Sequence, residues 1–226
     1  PEALHAWLVV IRWPSLQADW LPLIQLAYPA FIVALALLVV QYLRQPRPSH
    51  AAQIVALTTA QAGALTTDQI AAIETGDLKA LTTNTLQSLT SAQLEALGSD
   101  QVAALSTQQV VALTTGQVSS LSSDDLNALT SGQIRSLSTA QVAALTTAQV
   151  STLTSEDVQA LTTVQIAALS SAQVGALSTE NVAALSSSQI APLNTTQVGG
   201  LTTDQVGAIE TVDVKALTTQ ALRGLT

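Results

Sequence analysis

The sequence predicts an all-α chain: a single transmembrane helix followed by an α-solenoid of tandem eight-residue short-helix repeats. Three observations predict it. Residues 20–43 form an uncharged run, a leucine or isoleucine occupies every eighth position from 57 to 225, and a helix-start signature recurs inside each octapeptide.

The composition is uneven along the chain. Charged residues make up 10% of the 226 residues and aromatics 3%, against about 25% charge in an average domain, so something repetitive replaces the usual variety. Trp7, Trp13, Trp20, Tyr28, Tyr42 and Phe31 are the only aromatics, and all lie before residue 50. Whatever follows must build its core from aliphatic side chains. From residue 49 onward the chain carries 4 basic and 13 acidic residues, a balance of −9, which repels phosphates and argues against a nucleic-acid partner. Without cysteine there is neither a disulfide framework nor a thiolate metal site.

Residues 1–19 come first. ALHAWLVVIRWPSL at 3–16 is apolar but short and interrupted by Arg12, which predicts an interfacial helix or the tail of an earlier span. Pro1, in place of an initiator methionine, leads us to expect upstream sequence. The 24 residues WLPLIQLAYPAFIVALALLVVQYL at 20–43 would reach roughly 36 Å as a helix at 1.5 Å per residue, enough to cross a bilayer. Trp20 and Tyr42 stand where aromatic rings favour the headgroup level, and Asp19 and Arg44 mark the charged limits. Pro22 falls in the first turn, where a missing N–H costs nothing. The stretch 44–48, rich in proline and arginine, reads as a linker and places a domain boundary.

The array at 49–226 has the unit Leu-[Thr/Ser]-[Thr/Ser]-x-Gln-[Val/Ile/Leu]-x-Ala, about 21 full units without an insertion. A continuous helix fails, because eight residues advance the leucine by about 80° beyond two turns and no face stays apolar. A strand fails on parity, since positions 1 and 6 point to opposite faces. A short helix restarted every eight residues satisfies each position. Position 2 is an N-cap and the Gln three residues later its capping-box partner, as in Thr66/Gln69, Thr146/Gln149 and Thr202/Gln205. The leucine before the cap and the valine at position 6 then have the spacing of a hydrophobic staple. Asn194 fits as a substitute cap, and Asp77, Asp125, Asp157 and Asp213 fit the first turn, where the helix dipole favours a carboxylate. Two-turn helices are marginal alone, so stability must come from stacking. A longer echo, LTTDQIAAIETGDLKALTT at 65–83 against LTTDQVGAIETVDVKALTT at 201–219, suggests that the array continues beyond the chain.

The search for chemistry yields no catalytic, cofactor-binding or metal-binding residue. His5 and His50 are the only histidines and no third ligand lies near either in sequence. Asp124–Asp125 and Glu156–Asp157 match no calcium loop and read as first-turn acids. The many Ser and Thr have no positioned base, which speaks against nucleophilic catalysis. No enzyme is expected.

LTTDQVGAI at 201–209 resembles the opening LTPxQVVAI of the DNA-binding repeats of TAL effectors, where it begins a helix; the base-reading loop is absent here and the charge has the wrong sign, so the DNA-binding function is not carried over. The whole of 49–226 resembles the Leu-Thr-Thr-x-Gln octapeptide arrays of large bacterial surface and secreted proteins. That resemblance implies a bacterial, exported, structural role.

The expected function is therefore a non-enzymatic, membrane-anchored spacer, scaffold or filament-forming stalk, with an adhesin, an ice-binding face or an accessory subunit of a membrane complex as alternatives. Expected partners are the lipid bilayer through 20–43 and either further copies of the chain or other membrane-protein subunits, with no nucleic acid. Arg44 and Arg47 place the array in the cytoplasm by the positive-inside rule; its acidic, Ser- and Thr-rich composition and the resemblance favour the outside, and we expect the latter.

Overall fold

The structure, a computed structural model, describes residues 54–225. Between Thr59 and Leu222 these residues form 21 α-helices of four to six residues, one per octapeptide, closed by a 3₁₀ turn at Arg223–Leu225. The first residue of every one of these helices is Thr or Ser.

Helix Thr147–Thr152 shows why the unit starts and stops as it does. Thr146 is extended (φ −73°, ψ 156°), its Oγ1 accepts the N–H of Gln149 at 3.1 Å, and the Thr146 N–H is accepted by Gln149 Oε1 at 2.8 Å. That reciprocal pair satisfies two of the four orphan donors of a helix start. At the other end Leu153 leaves the helix at φ −53°, ψ 140°, its N–H reaching the Val150 carbonyl three residues back at 3.4 Å. A leucine adopts such angles without strain. The junction thus needs no left-handed residue, and the glycine that ends so many helices is dispensable here.

A helix of this size spans roughly 6–9 Å and cannot hold itself together. Its neighbours are the helices three octapeptides away: Thr115–Ser120 packs on Thr139–Ala144, which packs on Thr163–Ala168. About three units therefore make one turn of the solenoid. Burial follows the octapeptide: the position 1 leucine and the position 6 aliphatic are the core, as with Leu121 at 4%, Leu126 at 0% and Val150 at 0% exposure, while positions 2 and 4 face solvent in nearly every unit. The staple predicted from sequence is thus part of a core shared between layers.

The expected fold class is corrected in one respect. Tandem short helices in a solenoid are present, but among the described residues no helix is long and apolar enough to cross a membrane. The physical reason is the capping box, which restarts the chain every eight residues and caps helix length at six. The run 20–43, on which the transmembrane helix rested, lies outside the described residues, as do the segments 1–19 and 44–48, His5 and His50.

Candidate functional site: the glutamine ladder

The capping glutamines have a second role. While Oε1 of Gln149 serves its own N-cap, Nε2 donates to the carbonyls of Val118 at 2.9 Å and Leu121 at 2.8 Å, one turn of the solenoid below. Those carbonyls belong to the last turn of helix Thr115–Ser120 and to the leucine that follows it, the end of a helix where acceptors lack intrahelical donors. One side chain therefore caps the start of its own helix and the end of another.

The arrangement repeats at twelve glutamines from Gln93 to Gln205, each donating to the carbonyl 28 residues earlier at 2.6–2.9 Å. These amides are buried; Gln141, Gln197 and Gln205 are each 2% exposed. A buried amide is tolerated only when its donors and acceptor are met, and here they are. By contrast the Gln61 side chain is exposed and among the described residues bonds only Thr58.

Substitutions in the ladder are graded by what they can donate. Asn181 Nδ2 still reaches the Leu153 carbonyl at 2.7 Å, and Thr85 Oγ1 reaches that of Leu57 at 3.2 Å. Asn194 caps as expected, its Oδ1 accepting the Gln197 N–H at 3.0 Å. Asp77, Asp125, Asp157 and Asp213 stand in first turns, as do Asp124 and Glu156. Sequence reading assigned the glutamines to capping alone and missed the link between layers. A signal existed: a capping box accepts Glu as readily as Gln and the dipole favours Glu, yet no described unit has Glu at that position. Glutamine supplies the N–H donor that glutamate lacks, although aspartate stands at Asp77, Asp125, Asp157 and Asp213.

Outside the ladder the surface offers little chemistry. Gly98 stands at an N-cap, and its N–H is accepted by Gln101 Oε1 at 2.7 Å. The missing side chain opens a cleft lined by Ala71, Ile73 and Glu74 on one layer and Gly98, Asp100 and Gln101 on the next. Glu74 and Asp100 stand there with the hydroxyl residues Thr75 and Ser99, and among the described residues no group of three or more His, Asp or Glu could hold a metal. Further along, Gly175, Gly199, Gly200 and Gly224 let backbones touch between layers: a Cβ on Gly200 would lie 2.5 Å from the Ser171 carbonyl oxygen.

Comparison with known proteins finds the family model described as the ALTTAQ repeat matching residues 70–107, 118–155, 153–187 and 182–209. No curated protein and no solved structure matches the chain.

Proposed function

Since the chain belongs to the ALTTAQ repeat family, whose model spans more than half of it, we propose that the array is a non-catalytic scaffold that sets a distance and joins further copies of itself. The observation carrying this reading is the ladder: the buried glutamine amides serve the stacking of layers, and twelve units from Gln93 to Gln205 offer the layer below the same donor. Self-association through repeated, near-equivalent layers follows from that equivalence. An exported setting suits the acidic, cysteine-free composition. Electron microscopy of the full chain tests the proposal. Lateral or end-to-end order supports it; isolated globular monomers at every concentration overturn it.

A second reading, a binding face, is favoured by one observation. Each of the 21 helices begins with Thr or Ser, and hydroxyls such as those of Thr139, Thr147 and Thr163 lie on exposed residues and bond nothing among the described residues. The N-cap threonines, in contrast, accept bonds from their own helices, which removes them from an ice-binding role. Absence of thermal hysteresis and of adhesion to hydroxylated polymers would eliminate this reading.

A further inference from the structure

Packing three octapeptides apart sorts the helices into three columns along the solenoid. One column differs from the other two. It runs through Ser91–Glu95, Thr115–Ser120, Thr139–Ala144, Thr163–Ala168, Ser187–Ile190 and Thr211–Val214, each helix packed on the next. Position 4 of the octapeptide is exposed in every described unit, so packing leaves its side chain free to vary. In this column it is Ala92, Gly116, Ala140, Val164, Ser188 and Val212, six layers without a carboxylate, amide or cation. Elsewhere the same position holds Glu156, Glu180 and Asp204 on three successive layers of one column, and Asp100 and Asp124 on two layers of the other. Val164 is 64% and Val212 60% exposed. Position 7 of this column carries charge only at the two ends, Glu95 in the first layer and Lys215 in the sixth, with Ser or Ala in the four layers between. Glu210, the N-cap of the sixth helix, stands at the opposite edge of the face.

The column is complementary to itself when a second copy is turned end over end about an axis between the third and fourth layers. Val212 then falls across from the partner's Ala92, Val164 across from the partner's Ala140, and Ser188 across from the partner's Gly116. In every pair a larger side chain meets a smaller one. The same rotation keeps position 7 on one edge, so Glu95 falls across from the partner's Lys215, and the pair occurs twice by symmetry. Glu210 meets the partner's Thr90, which brings no charge. Parallel packing lacks this match, because it sets position 7 against position 2 and leaves Glu95 without a cation.

We propose that this column is the surface through which two copies of the chain pair, antiparallel and related by a twofold axis; the reading of the array as self-joining is its premise. A twofold interface uses the same patch from both partners, and this patch meets that condition. Six layers at about 8–10 Å span roughly 45 Å, and a face about 12–15 Å wide then gives on the order of 600 Å² per copy. The total of about 1,200 Å² lies at the lower edge of stable interfaces, so pairing is specific and weak. The column through Glu156, Glu180 and Asp204 would instead set acids against acids.

Sedimentation velocity of the full chain in mild detergent, over a concentration series, tests this, with thermal melts to show that each variant folds. The wild type should show a monomer–dimer equilibrium. Val164→Glu places an acid where Glu156 and Glu180 stand in their own helices, and should weaken pairing by at least about tenfold with the melting midpoint unchanged. Glu95→Lys and Lys215→Glu should each weaken pairing severalfold at about 0.05 M salt, and the two together should bring it back to within about threefold of the wild type. A wild type that pairs but is indifferent to Val164→Glu overturns this surface and leaves the self-joining reading standing. A double exchange no better than the single ones overturns the antiparallel arrangement. A wild type monomeric at every concentration overturns this surface and the self-joining reading together.

Discussion

Gln149 and Leu121 stand 28 residues apart and are joined by a 2.8 Å hydrogen bond from the Nε2 of the first to the carbonyl of the second. The same amide closes the capping box of its own helix through Oε1. Replacing it with glutamate separates the two roles, because the acid keeps the cap and loses the donor. Gln149→Glu should cost about 2–4 kcal/mol, as the Leu121 carbonyl goes unmet and that of Val118 keeps only the Leu121 N–H, beside a new charge. Gln61→Glu, at an exposed position with no bond to another layer among the described residues, should change stability by no more than about 0.5 kcal/mol. Equal losses in chemical denaturation would show that the inter-layer bonds contribute nothing.

Adjacent threonines should respond in opposite directions. Thr146→Ala removes the N-cap oxygen and should cost about 1 kcal/mol. Thr147→Pro places proline at the first helical position, after a residue already extended, where no backbone N–H is used; stability should stay level or rise by up to about 1 kcal/mol. Circular dichroism melts of the two variants make the comparison.

Glycines divide by what surrounds them. Gly207 lies inside helix Thr203–Ala208 with open space where a Cβ would go, so Gly207→Ala should stabilise by about 0.5–1 kcal/mol. Gly200→Ala meets the Ser171 carbonyl oxygen at 2.5 Å and must push two layers apart, at a cost of about 2 kcal/mol. Midpoints of urea unfolding should separate the pair.

Core truncation should be felt in every layer alike. Leu126 is fully buried, and Leu126→Ala should destabilise by about 2–5 kcal/mol. Val164→Ala, at a side chain 64% exposed, should be close to neutral. A neutral Leu126→Ala would mean that the shared core does not hold the layers.

The local half of this architecture was legible in the sequence, because capping boxes and staples act across three to five residues. Thr66/Gln69, Thr146/Gln149 and Thr202/Gln205 all form the predicted reciprocal pairs. The distant half was not. In an array where every unit looks alike, Gln149 could reach back 20, 28 or 36 residues with the same pattern, and only the backbone path selects Leu121. The close approach of Gly200 to Ser171 was hidden for the same reason, since nothing near Gly200 names its partner. The transmembrane expectation drew on 20–43 alone and has no counterpart among the described residues.

The two kinds of bond in the array lie in different directions, and a mechanical load would tell them apart. Backbone bonds close each short helix on itself, whereas the glutamine amides tie one turn to the next. Tension applied at the two ends of the array would load those amides in series and leave the helices intact until their layer came free. Extension would then proceed in steps of about 24 residues, each releasing roughly 80 Å of contour length. Such a chain yields one coil at a time, dissipating work at each step, and the layers still stacked keep the full complement of bonds they had before.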